Sequence, residues 1–377
     1  MREVLAVAPA PLLRPPHRRE PPQPASRPAD AASPPPPEGS ASPRLPGLDA
    51  VRGLAVALVI ARHAWPDAVP GGGIVGVVMF FTLSGYLITG VLLRDPDAGL
   101  RRFYARRAAR LVPALLALLT GVTLVTLVLD PLGDRERLPH TLAVALTWTA
   151  DLPVATLGLH PSAATFHLWT LAVEEQFYLL WPLALLVAVR RHRVGALLAV
   201  AGLGCAAATL ATAWWARTSP DLAYALPTSW AGCFVAGAAL QVVLPRRGSG
   251  APTGGRVLPT AGLALGVLLL ASALPLRGHW WTTVLVGPVI AAATCALITV
   301  AGSTPALLLL LAPLATLGTW SYAAYLWNYP ATMWLRPHVP AAGLLAAALT
   351  LPLAWASTRF VERPALRRFS PRTAVAA

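Results

Sequence analysis

The sequence predicts an all-α polytopic membrane protein: a bundle of about ten transmembrane helices with a partly interfacial or re-entrant outer segment. Three observations carry that expectation. Of the 377 residues, 56% are hydrophobic and 12% charged, against about 25% charged in a soluble domain. Apolar stretches long enough for a bilayer follow one another from Leu48 onward. The basic groups, all arginine, cluster beside those stretches, where they read as topology signals. A formal net charge of +14 would otherwise suggest nucleic acid, but this placement leaves no nucleic-acid partner expected.

Taken in order, residues 1–46 hold 14 of the 38 prolines, interleaved with arginine. Such a segment cannot bury a core, so it is expected to be a disordered cytoplasmic tail. The predicted spans are 48–65, 74–93, 111–129, 168–189, 194–215, 228–244, 257–275, 282–302, about 315–335 and 340–358. Residues 140–157 are apolar but short, and Asp151 and Pro153 interrupt them. If that segment does not cross, the Arg94–Arg110 loop, residues 190–193, Arg246/Arg247/Arg256 and the basic C-terminal stretch all face one side. The positive-inside rule favours that arrangement, with both termini cytoplasmic and 131–167 facing outward. The membrane domain then spans 47–366, and 367–377 form a short cytoplasmic tail. Cys205, Cys233 and Cys295 stand singly in apolar stretches and read as small core residues, with no zinc or disulfide spacing.

Ionisable groups inside a span are costly and mark function. The first span, LDAVRGLAVALVIARHAW, carries Arg52 and His63 eleven residues apart. At about 100° per residue both lie on one face, separated by roughly 16 Å along the axis. His63 suits general-base work near neutral pH. A second polar concentration, FHLWTLAVEEQFYLLWP, places Glu174 and Glu175 in or at the edge of a span; two adjacent carboxylates cannot both face lipid. On a continuous helix His167 and Glu174 would share a face, while Trp169 and its aromatic neighbours could serve as interfacial anchors. Arg107 and Arg110, at i and i+3, present two guanidinium groups on one side, an arrangement that suits phosphate and is equally ordinary at a helix entrance. LGTWSYAAYLWNYP adds five aromatics, and Asn328 offers a buried amide.

These residues together resemble the integral-membrane acyltransferase family 3, which O-acylates carbohydrates and some antibiotics. The matches are Arg52-x10-His63, FFTLSGYLI at 80–88, Arg107-x-x-Arg110 before LVP, HLWTLAVEEQFYLLWP at 167–182, SYAAYLWNYP at 321–330 and FVERP at 360–364. Two positions depart from the family pattern: Thr170 stands where serine is typical, and Asn328 where many members have histidine.

The resemblance, covering about residues 45–368, implies an acyl-CoA donor, usually acetyl-CoA, reached from the cytoplasm. It implies a carbohydrate or glycosylated small-molecule acceptor at the outer face of the plasma (inner) membrane. On that reading His63 is the general base and Glu174 or Glu175 orients its imidazole. Arg52, Arg107 and Arg110 hold the anionic donor, and His167, Trp169 and Asn328 contact substrate. No metal is expected, and no appended esterase-like domain of the kind some members carry. The competing expectation is a transporter, such as a flippase for a lipid-linked sugar, in which the same intramembrane charges do no covalent chemistry.

Overall fold

A computed structural model of the chain describes residues 46–152, 161–244, 255–301 and 311–369. The predicted tail before Pro46 and residues 370–377 of the predicted C-terminal tail lie outside the described residues. All regular elements among the described residues are helical, and the longer ones are α1 (Pro46–Ala64), α2 (Gly72–Arg94), α3 (Leu100–Val128), α4 (Leu138–Leu146), α5 (Trp169–Arg190), α6 (Val194–Trp215), α7 (Pro227–Val243), α8 (Val257–Ala273), α9 (Gly287–Val300), α10 (Ala312–Thr319), α11 (Ser321–Leu335), α12 (Ala342–Ser357) and α13 (Arg363–Phe369).

Each of the ten predicted spans falls on helix. Among the described residues seven helical stretches, built on α2, α3, α5, α6, α7, α9 and α12, are long and apolar enough to cross a bilayer. The other three depart from that standard for visible reasons. α1 carries Asp49, Arg52 and Arg62 within 19 residues, α8 has 17 residues, and the stretch near 315–335 breaks at Trp320 into α10 and α11. Within 140–157, α4 ends after nine residues, about 14 Å of rise and half a bilayer, so the helix itself does not cross. Residues 153–157 of that segment lie outside the described residues.

The bundle is built around α1 and α2. Gly53 of α1 faces Leu314 of α10, and Gly318 of α10 faces Asp49 of α1. A Cβ at either would run into the opposite backbone carbonyl. That close approach lets a helix carrying three charged groups bury Val56 and Val59 at its centre. Met79, Phe81 and Leu83 of α2, Leu118 of α3, Phe234 of α7 and Leu326 of α11 complete this core. At the periphery α6 buries only Ala213 of its 22 residues, and leucines such as Leu203, Leu263 and Leu270 are exposed. In water such a surface would aggregate; in a bilayer it is solvated by acyl chains.

Between α3 and α5 the chain is pinned by side chains rather than by a span. Asp134 Oδ2 accepts from the Ala163 amide at 2.9 Å, and Thr141 Oγ1 accepts from the Ser162 amide at 2.8 Å. Asp151, fully buried, accepts the Gln176 amide with both oxygens, at 3.0 and 3.2 Å. Burial pushes the Asp151 carboxyl up from the usual value, and the Gln176 bond offsets part of that rise.

Candidate active site

α5 is docked on α2 by Trp181, whose indole N–H donates to Thr89 Oγ1 at 2.9 Å. Thr170, Glu174, Tyr178 and Trp181 recur at i, i+4, i+8 and i+11, one stripe of α5 turned toward α2. Thr170, Glu174 and Tyr178 of that stripe form one wall of a cavity with about 80 Å³ of enclosed space, or about 750 Å³ with the open space at its mouth. The other walls are Arg52 of α1, Phe80, Ser84 and Ile88 of α2, Arg107 and Arg110 of α3, and Tyr322 and Tyr325 of α11. Residues from five helices, spread over more than 270 positions of sequence, therefore meet in one space.

The charges inside it are ordered. Arg107 Nη2 lies 3.5 Å from Glu174 Oε1, and Arg107 Nε lies 3.9 Å from Glu175 Oε1. The Arg107 guanidinium also stacks over the Tyr178 ring, Cζ 3.2 Å from its centroid. The hydroxyls of Ser84 and Tyr178 both reach Glu174 Oε1. Arg52 pairs with Asp49 one turn before it, at 3.6 Å. Arg110 has no ion pair within 4 Å among the described residues, although Glu362, at the end of the π-helical segment Thr358–Glu362 beyond α12, acts on it electrostatically. Lining the cavity are three arginines and one carboxylate, Glu174, a balance that invites an anion.

His63 lies elsewhere. It lines a second cavity with Arg336, His338, the turn at Pro340 and Ala341 and the start of α12. Its Nδ1 sits 2.6 Å from Asn328 Oδ1, and Asn328 Nδ2 donates to Thr350 Oγ1 at 2.9 Å. The expectation that Glu174 or Glu175 orients the imidazole is therefore replaced by a different partner. The two carboxylates are drawn to Arg107, while an amide from α11 meets the histidine. His167 also departs from its expected place on the Glu174 face. It belongs to a tighter turn, Ala163–Leu168, ahead of α5, and at about three residues per turn its direction is rotated away from that of a continuous α-helix.

His167 lies between the two cavities, lining neither. Its ring centroid is 5.5 Å from Tyr325 and 5.0 Å from Tyr329, which touches His63 edge-on at 5.1 Å. Neither ring nitrogen has a bonded partner at hydrogen-bond geometry among the described residues. The Leu326 carbonyl, left without a helical donor by Pro330, is its nearby acceptor. Thr170 Oγ1 and Tyr325 OH lie 2.6 Å apart, and both reach the His167 carbonyl, at 2.9 and 3.1 Å. Trp169 packs between Phe81 and Tyr224 in the core and lines neither cavity.

The sequence reading missed Ser84, Tyr178, Tyr325 and Thr350. Tyr178 was detectable as the i+4 neighbour of Glu174. Thr350 carries no local signal, being one threonine in an apolar helix. Among the described residues no group of His, Cys, Asp or Glu could hold a metal ion.

The chain is 31% identical over 350 residues to the peptidoglycan O-acetyltransferase OatA of Listeria monocytogenes, covering 85% of this chain and 55% of that protein. It is 30% identical to the putative peptidoglycan O-acetyltransferase YrhL of Bacillus subtilis, over 87% of this chain and 56% of that protein. The O-acetyltransferase OatA of Staphylococcus aureus is 37% identical over 161 residues, 40% of this chain and 26% of that protein. The chain thus spans about half the length of the first two of these relatives. No solved structure matches. A family described as an acyltransferase domain matches residues 45–359, which include every cavity residue named above. The chain belongs to the integral-membrane acyltransferase family 3.

Proposed function

We propose that this domain transfers an acyl group, in the first instance acetyl, from acyl-CoA to a hydroxyl of a carbohydrate at the membrane. The observation that carries this reading is the convergence of Arg52, Arg107 and Arg110 on one cavity walled by aromatic and aliphatic side chains. CoA is a polyanion joined by a long, mostly uncharged arm to its thioester. Guanidinium groups suit its phosphates, and the apolar walls suit the arm. Arg110, with no ion pair among the described residues, is the guanidinium most available to phosphate.

His63 stands at the other end of α1, roughly 16 Å along the axis from Arg52. In the proposed reaction its imidazole takes the proton of the acceptor hydroxyl as the oxygen attacks the thioester carbonyl. The C–S bond breaks, the acyl group stays on the acceptor oxygen as an ester, and CoA leaves as thiolate, to be protonated by the imidazolium or by water. The second cavity, with Arg336 and His338 beside His63, is where the acceptor would sit. The names of the relatives make a peptidoglycan hydroxyl the first acceptor to try. A plasma-membrane location with cytoplasmic termini and a cytoplasmic donor fits the arginine distribution.

The test is covalent. Purified protein in proteoliposomes is given radiolabelled acetyl-CoA and peptidoglycan fragments. Label esterified to the glycan supports transfer. Movement of a lipid-linked sugar with no label on it would instead support a transporter.

A further inference from the structure

We propose that Thr350 and Asn328 together fix the tautomer of His63, making Nε2 the basic nitrogen and Asn328 a positioning residue rather than a substrate contact. The inference rests on the reading of His63 as the base. Its foundation is a relay buried between α11 and α12. Thr350, fully buried, has one hydroxyl proton, and it donates that proton to the Ala346 carbonyl at 2.7 Å. The oxygen is left as an acceptor for Asn328 Nδ2 at 2.9 Å. That bond turns the other end of the amide, Oδ1, toward His63 Nδ1 at 2.6 Å.

A carbonyl oxygen only accepts, so Nδ1 must carry the proton. In a neutral imidazole the lone pair then sits on Nε2, for which the described residues supply no hydrogen-bond partner. Reversing the amide would keep two hydrogen bonds in place of three, since Thr350 would have to abandon Ala346 to donate to Asn328. In a buried site the arrangement with more bonds prevails.

The backbone supports the relay. A Cβ at Gly343 would strike the His63 carbonyl, so α12 runs tight against the end of α1 and carries Thr350 in with it. The Asn328 side chain, 1% exposed, is too enclosed to meet an acceptor sugar, whereas His63 lines the open second cavity. Asn328 thus performs the orienting part of a triad acid without bringing a charge into the bundle.

The experiment uses the full chain in nanodiscs, with ¹⁵N-histidine labelling and His63 assigned by difference against His63→Gln. The neutral ring of the wild type should show protonated Nδ1 and unprotonated Nε2. Thr350→Val, nearly isosteric, should produce a mixture of tautomers and lower kcat about tenfold, a fraction of the 10²–10⁴ a base supplies, with the donor KM unchanged. Thr350→Ser should restore both signal and rate, and Asn328→Leu should lose the fixed tautomer.

A wild-type ring protonated on Nε2 would overturn the proposal, as would a single tautomer surviving in Thr350→Val. Because the spectrum needs no substrate, a correct tautomer in a protein that transfers no acyl group would sink the reading of the reaction and leave the relay standing.

Discussion

Replacing Arg107 by methionine offers the clearest energetic test of the donor cavity. Its guanidinium lies 3.5 Å from one Glu174 oxygen and 3.9 Å from one Glu175 oxygen, with side chains only 18–21% exposed. At an effective dielectric constant of about 20 each contact is worth about 4 kcal/mol of Coulomb energy. Much of that is offset by taking the charges out of water. Removing the cation, however, leaves two enclosed carboxylates facing each other, so Arg107→Met should cost about 3 kcal/mol of unfolding free energy. Glu174→Gln alone leaves Arg107 paired with Glu175 and should cost about 1 kcal/mol. In the double variant Glu175 is left without its cation but no longer faces a second carboxylate, and the total should be about 2 kcal/mol rather than the sum of about 4, a coupling of about 2 kcal/mol. Equilibrium unfolding in mixed micelles, read by tryptophan fluorescence, measures all four corners of the cycle. Strict additivity would refute the pairing, and with it the argument that Glu174 serves Arg107 rather than His63.

Other expectations follow from the same geometry. Arg110→Gln and Arg52→Gln should each raise the donor KM, by about tenfold or more for a lost charge-assisted hydrogen bond, with less change in kcat. Steady-state kinetics against acetyl-CoA decide this, and an unmoved KM argues against phosphate binding there. Thr170→Ser keeps the hydroxyl that meets Tyr325 at 2.6 Å and should be nearly silent, whereas Thr170→Val should cost about 1–2 kcal/mol in the same unfolding assay. The Asp151 carboxyl is pushed above its usual 3.8 by burial, so the folded state holds its proton to higher pH than the unfolded chain does. Stability should therefore fall as pH rises from that value through the raised one, then level off. Asp151→Asn, which keeps one acceptor for Gln176, should flatten that part of the melting-temperature profile.

Much of this architecture is readable in the sequence because a bilayer imposes length and polarity on every element. The ten apolar stretches fall on helices, and the charged stripe of α1 brings Arg52 to one cavity and His63 to another. Arg107 and Arg110, placed by a three-residue spacing, do face one cavity together with Arg52. Partnerships between helices were not legible. The resemblance pairs Glu174 or Glu175 with His63, yet periodicity fixes a side chain's face and leaves its depth and partner open. The nearer cation, Arg107, took the carboxylate. His167 left the Glu174 face because the chain tightens into a three-residue-per-turn helix before α5, a change no apolar pattern announces. Thr350 was invisible for a simpler reason: its role depends on Gly343 letting α12 close on α1, a contact between segments almost 300 residues apart.

The central claim is that His63 performs the chemistry for a donor held by the arginine cavity. The most direct test is transfer of radiolabelled acetyl from acetyl-CoA to peptidoglycan fragments in proteoliposomes, comparing wild type with His63→Ala at matched protein content. The account predicts loss of about 10²-fold or more in the rate of glycan labelling, with acetyl-CoA binding retained. Labelling by His63→Ala at the wild-type rate would contradict it.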